Sequence, residues 1–138
     1  MGMSIPEYRR LMKLPARPVD QPTKYRSQKI VVDGLRFDSK KEYRYFFMLT
    51  ALMQARDPAV RVVTIERQVY FQLVPAQRDR AGKLLERAMG YYLDFRITYA
   101  DGRVEHVDVK SPVTRRLPGY ISKRKLMLER HNVHVMEV

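Results

Sequence analysis

The chain has 138 residues, enough for one domain with a core of its own. Lys and Arg number 27 against 15 acids, a formal net charge of +12, while 45% of residues are hydrophobic; this excludes global disorder and makes a polyanion, nucleic acid foremost, the expected partner. No apolar run approaches the ~18 residues that span a membrane, and zero cysteine excludes disulfides and thiolate metal sites, leaving carboxylate-held hard cations, Mg²⁺ or Mn²⁺.

Residues 1–28 read as a basic N-terminal arm. They hold four prolines, and Arg9, Arg10, Lys13, Arg17, Lys24 and Arg26 face only Glu7 and Asp20. A short helix is expected around Pro6–Lys13, then extended chain; the arm is either a solvated tail or lies on nucleic acid phosphates. The domain proper runs over 29–138. "KIVVDGLRF" predicts a hairpin, Ile30–Val32 and Leu35–Phe37, turned at Asp33-Gly34. "SKKEYRYFFMLTALMQAR" predicts the first long helix, with Ser39 or Asp38 as N-cap. A strand pair is expected at Val60–Ile65 and Gln68–Val74, broken near Glu66-Arg67. The polar "PAQRDRAGKLLER" reads as a loop, and residues 89–99 and 103–110 as a second hairpin. After the basic loop "SPVTRRLPGY", "YISKRKLMLERHN" predicts a helix with Leu126 and Met127 apolar and Lys123, Arg124, Lys125 and Arg130 open to solvent or DNA. "VHVMEV" closes the sheet. The order predicts an α/β domain, a mixed β-sheet flanked by helices.

In the second hairpin the turn "ADG" decides what faces what. A two-residue loop, Asp101-Gly102, sets Leu93 against Lys110 and Phe95 against Asp108, mixing charge into each apolar face. A three-residue loop, Ala100 to Gly102 with the glycine left-handed, sets Leu93 against Val109 and Phe95 against Val107. Because a one-residue slip turns every side chain over, the clean apolar face selects the second. It places Asp94 opposite Asp108, with Lys110 one step along. Like charges so opposed are destabilising, and a divalent cation between them turns repulsion into binding.

A third acid is Glu42. Ser39-Lys40-Lys41-Glu42 fits the capping box S-x-x-E, which would make Glu42 a helix-start residue. Yet Glu42, Phe46, Leu49 and Met53 form one helical stripe, so the acid heads the expected buried face and becomes a site candidate.

A helix-borne acid, an Asp on one strand and D-x-K on the next form the pattern of the PD-(D/E)XK nuclease superfamily. The chain resembles that superfamily in Glu42, Asp94 and Asp108-Val109-Lys110. More narrowly, "KYRSQKIVVDGLRFDSKKEYRY", "YYLDF", "VDVKS" and the closing basic helix resemble small phage-type endonucleases linked to Holliday junction resolvases, over roughly residues 24–138. Leu93 stands where the superfamily has proline, and Asp108 where Glu is frequent. The resemblance implies a restriction-endonuclease-like core and a metal-dependent phosphodiesterase. Asp94, Asp108 and the Val109 carbonyl would hold Mg²⁺ or Mn²⁺, Glu42 would bind metal or orient its water, and Lys110 would position the attacking water and offset phosphate charge. It further implies a homodimer cutting four-way junction DNA, without organic cofactor or membrane attachment, in the cytoplasm of the cell or of a phage host. Arg9, Arg10, Lys24, Arg26, Lys29, Lys40, Lys41, Arg115, Arg116, Lys123 and Lys125 are the expected DNA contacts.

Plainer readings suit the remaining marked residues. His106, opposite Arg96, reads as a solvated strand residue, and His131 and His134 as helix-end and strand-surface positions. Gln68 reads as a strand start from which the site is within reach. Tyr91, Tyr92 and Tyr99 read as core and rim, and the eight methionines as packing. Two alternatives stay open: the same chemistry on flaps, nicks or ends, and a non-catalytic basic module that binds nucleic acid.

Overall fold

The structure, a computed structural model, describes the backbone of residues 19–21 and all of residues 29–138. The helix expected at Pro6–Lys13, and Arg9, Arg10, Lys24 and Arg26, lie outside the described residues. The described residues form two compact units, one holding those up to residue 63 together with 99–101, the other 64–98 with 102–138.

In the first unit, β1 (Val19–Gln21), β2 (Lys29–Val32) and β3 (Leu35–Phe37) form an antiparallel sheet in that order. Val32 opposes Leu35, so Asp33-Gly34 is the expected two-residue turn. Their φ values of 50° and 77° are both left-handed, the twist that lets a two-residue loop join right-twisted strands. Helix α1 (Lys40–Leu52) follows, capped by Ser39, whose extended backbone lets its Oγ accept the Glu42 N–H at 3.1 Å. Ile30, Val32, Phe37 and Tyr43 form the core here, with Phe46 against them and the Phe37 ring 5.3 Å from those of Tyr43 and Phe46. The expected helical stripe is buried at Glu42 and Leu49, but Met53 is exposed because the helix ends before it and Met53 serves as its C-cap.

The second unit is built on a four-stranded sheet whose strands, in spatial order, are β4 (Val62–Val74), β7 (Met89–Tyr99), β8 (Val104–Asp108) and β9 (Val135–Glu137). The strand pair expected at 60–74 is instead one strand, β4 (Val62–Val74). The charges that suggested a break are part of the sheet: Glu66 takes a two-pronged bond from Arg96, with Oε1 2.7 Å from Nη2. Gln68, at φ 51°, marks the irregular step inside the strand. The expected loop that follows is a small ribbon, β5 (Gln77–Arg78) with β6 (Leu84–Glu86). The Asp79 carboxylate makes its turn by accepting the N–H groups of Ala81 and Lys83 at 2.9 Å, and Gly82 supplies φ 85°.

Strands β7 (Met89–Tyr99) and β8 (Val104–Asp108) are antiparallel, pairing Phe95 with Val107, Arg96 with His106, Ile97 with Glu105 and Thr98 with Val104. This is the register of the three-residue turn, with Gly102 at φ 90°. A 3-10 turn (Thr114–Arg116) sits within the expected basic loop, before helix α2 (Pro118–His131), which opens on a proline and ends at Asn132, φ 52°. Strand β9 (Val135–Glu137) lies parallel to β8, as a helical crossover permits, and makes the sheet mixed. Leu73, Tyr91, Leu93, Tyr120, Met127, Val133 and Val135 form the core between sheet and α2. The fold is α/β. No helix among the described residues is long and apolar enough to cross a membrane.

Candidate functional site

The β7–β8 ladder runs as far as Phe95 and Val107. One step further in the same register stand Asp94 and Asp108, and here side chains take over the bonding. The Asp94 N–H donates to Asp108 Oδ1 at 3.0 Å, and the Val109 N–H donates to Asp94 Oδ2 at 2.9 Å. The main chain at this point turns to its other neighbour: the Val138 N–H donates to the Asp108 carbonyl at 2.9 Å and the Lys110 N–H to the Val138 carbonyl at 3.0 Å. Asp108 is therefore gripped through its backbone by the end of the chain and through its side chain by β7. From β4, Gln68 Nε2 donates to Asp94 Oδ1 at 3.1 Å. Asp108 is fully buried and Asp94 is 9% exposed.

The electrostatics of the pair are uneven. Among the described residues none hydrogen-bonds the buried Asp108 Oδ2; Lys110 Nζ, at 3.6 Å, pairs with it by charge, beyond hydrogen-bond reach. Burial pushes the Asp108 carboxyl above its usual range, and the opposing pulls of Lys110 and of the Asp94 N–H do not cancel it. Lys110 Nζ also lies 5.1 Å from the centre of the Tyr120 ring, with the Arg124 guanidinium 5.8 Å from the same ring. Burial, then the charges of Glu137 and Asp108, hold the Tyr120 phenol well above its usual range. Glu137 accepts from Arg124 at 2.6 Å and lies 3.4 Å from Arg115. Burial works to raise its pKa, and the Arg124 bond, then the Tyr120 hydroxyl and the charges of Arg124 and Arg115, outweigh it, leaving Glu137 below the usual range.

Asp94, Asp108, Val109 and Lys110 thus meet in the second unit. There too lie Arg115 and Arg116 in the 3-10 turn, Arg115 beside Glu137 and Arg116 exposed, and on α2 the half-buried Lys123 and the exposed Lys125. Glu42 belongs to the first unit, where both halves of the capping arrangement are present: Ser39 Oγ accepts the Glu42 N–H, and Glu42 Oε2 accepts the Asp38 N–H at 2.8 Å. Lys40 and Lys41 open the same helix, and Lys29 opens β2. Among the described residues no three His, Cys, Asp or Glu side chains are grouped as metal ligands; the donor set of the second unit is the aspartate pair.

Gln68 is the residue the sequence undervalued. Its signal was a polar amide just past Glu66 on a strand that must oppose Asp94, but reaching the acid needs the left-handed step at Gln68 itself. His106 opposes Arg96 as expected, and burial, then Arg96, lowers its pKa. His131 ends α2, with Nε2 2.7 Å from the Gln72 carbonyl oxygen. Tyr91 and Tyr99 are core, whereas Tyr92 is 63% exposed.

Among known proteins, the model of a family described as "Protein of unknown function (DUF1064)" matches residues 22–136. No curated protein matches the chain.

Proposed function

We propose that this chain, which belongs to the DUF1064 family, is a metal-dependent, structure-selective DNA endonuclease of the PD-(D/E)XK type that resolves four-way junctions as a homodimer. One observation carries the reading: Asp108, wholly buried, leaves Oδ2 without a hydrogen bond beside Lys110 while its other oxygen is tied to the strand of a second aspartate. A buried, unsatisfied carboxylate oxygen costs free energy, and two neighbouring acids add to that cost. Two carboxylates, one of them with an orphaned buried oxygen, fit Mg²⁺ or Mn²⁺, which Asp94 and Asp108 would hold. When bound, the cation would supply Lewis acidity toward the phosphate and a water of lowered pKa.

The protein's own groups have definite tasks in such hydrolysis. Water oxygen bonds to phosphorus, one phosphoester bond breaks, and the proton that the water gives up balances the one that the leaving oxygen takes. The Lys110 ammonium, two residues past Asp108 where the main chain bonds the Val138 carbonyl, would face the growing negative charge on phosphate. Gln68 fixes Asp94 by bonding Oδ1, and the Val109 N–H fixes it by bonding Oδ2, so the carboxylate cannot swing. The resemblance gives Glu42 a water-orienting task, while the bonds it makes in its own unit are those of a helix cap. The basic side chains of the 3-10 turn and α2 suit phosphate contacts, which position DNA without reading its sequence.

The same bonds favour a second reading, in which the aspartates serve as backbone clamps in a non-catalytic nucleic-acid-binding module. Incubating the purified protein with a synthetic four-way junction, with and without Mg²⁺, separates the two. The nuclease reading expects Mg²⁺-dependent cuts that Asp108→Asn abolishes; metal-independent binding with no cuts by the parent leaves the clamp reading.

A further inference from the structure

Beside the aspartates, on the same face of the second unit's sheet, two tyrosines lie open to solvent. Tyr92 precedes Asp94 by two residues on β7, and Tyr70 follows Gln68 by two on β4. Two cross-strand contacts show that both rows face one way: Gln68 reaches Asp94 at 3.1 Å, and the Tyr70 and Tyr92 rings are 5.1 Å apart, inclined at 52°. Yet Tyr70 is 51% exposed and Tyr92 63%. Tyr70 is held flat by a special feature. A Cβ on Gly90 would come within 2.2 Å of the Tyr70 ring, so the ring occupies the space a side chain would fill. Covering a strand glycine accounts for Tyr70; it does not account for Tyr92, which leans on that ring and turns its other face outward.

We propose that Tyr70 and Tyr92 form a stacking platform for an unpaired nucleobase of the DNA strand whose phosphate lies at Asp94 and Asp108. The proposal rests on the nuclease reading for the placement of that phosphate. Two residues along a strand span about 6.6 Å, the reach from a phosphate to the base of an adjoining nucleotide. The +12 chain selects a polyanion as occupant, and an aromatic face beside a phosphate site is how strands with splayed bases are held irrespective of sequence. At a branch point the helical stack is interrupted and the flanking bases are the most easily splayed out, so the platform would give preference for branched over continuous duplex DNA.

The test is fluorescence anisotropy in EDTA, with the full chain, on a labelled four-way junction, on the same junction with abasic sites at the branch point, and on duplex. Tyr92→Ala, and Tyr70→Ala with Tyr92→Ala, should weaken junction binding about 5- to 150-fold. Both should bind the abasic junction and the duplex as the parent does, and Tyr92→Phe should restore junction binding. Unchanged junction affinity overturns the proposal, as does equal weakening on the abasic junction or failure of Tyr92→Phe to restore it. A double variant that becomes monomeric where the parent is dimeric, with DNA affinity kept, overturns it in favour of a second copy as occupant. Because no cleavage is read, the nuclease reading fails separately, in a parent that binds in this tyrosine-dependent way yet never cuts with Mg²⁺.

Discussion

Glu42 in the first unit and Asp108 in the second are both carboxylates sealed from water, at 2% and 0% exposure, but their burial is compensated differently. Glu42 sits in the first turn of α1, where the helix end offers unpaired N–H groups and a favourable field for negative charge. It accepts the Asp38 N–H, and its own N–H is taken by Ser39. Asp108 receives one N–H on Oδ1 and none on Oδ2, and burial drives its pKa up. Local folding explains the first acid. Folding alone leaves the second partly unexplained, and that residue is what a cation would answer.

The sharpest way to break the comparison is cleavage. Asp108→Asn keeps the shape and the acceptor for the Asp94 N–H while halving the charge of the pair; junction cleavage with Mg²⁺ should fall by about 10³-fold or more. Glu42→Gln should separate the two tasks assigned to Glu42. Its amide oxygen can still accept the Asp38 N–H, so stability to urea should stay near the parent's, while cleavage falls by about 10²-fold if the acid orients water. Parent-level cleavage by Glu42→Gln would reduce Glu42 to a helix cap. Glu42→Ala removes the acceptor outright and should cost about 1–2 kcal/mol in urea unfolding.

How much of this was readable beforehand differs between the regions. The Asp33-Gly34 and Ala100–Gly102 turns were legible because Gly and Asp encode left-handed backbone, and the register followed because a slip would expose Leu93 and Phe95. The pairing of Asp94 with Asp108 came with that register. Illegible were features made by tertiary bonds: Glu66 and Arg67 read as a break because Arg96, 30 residues away, is the partner that keeps Glu66 in a strand. The ribbon at 77–86 was hidden because its turn depends on one aspartate bonding two amides, and its strands bury no side chain that alternation would reveal. Gln68 was legible as a residue within reach of the site, but not the left-handed step by which it gets there, which glutamine does not advertise.

Stability of the metal-free protein sharpens the contrast at a smaller scale. The Asp108 carboxyl is raised in the fold, so the proton it binds favours the folded state. Its ionised form is a liability at neutral pH that is relieved as pH falls through the raised folded value toward the unfolded 3.8. In EDTA at pH 7, Asp108→Asn should therefore be level with the parent or up to about 1 kcal/mol more stable. As pH falls toward 4 the parent should gain on the variant. A variant clearly less stable at pH 7 would mean that Asp108 serves the fold as a charged clamp.

The smallest effect belongs to the acid that water already serves. Glu66 pairs with Arg96 in a two-pronged bond, but its side chain is 42% exposed. The Arg96 hydrogen bond lowers its pKa, with burial opposing and the Arg96 charge assisting. A depressed carboxylate stabilises the fold above its unfolded pKa of 4.5, and the contribution fades as pH falls through the lower folded value, opposite in sign to Asp108. Solvent screening limits it to about 0.5 kcal/mol, as for exposed pairs generally. Glu66→Gln should therefore lower the urea midpoint slightly at pH 7 and leave it unchanged once pH is below the folded value. In 1 M salt, where the Debye length is ~3 Å, the pH 7 difference should shrink toward zero. A loss that persists both at low pH and in high salt would come from packing at β4, and the comparison would then rest on the two buried carboxylates, Glu42 and Asp108, alone.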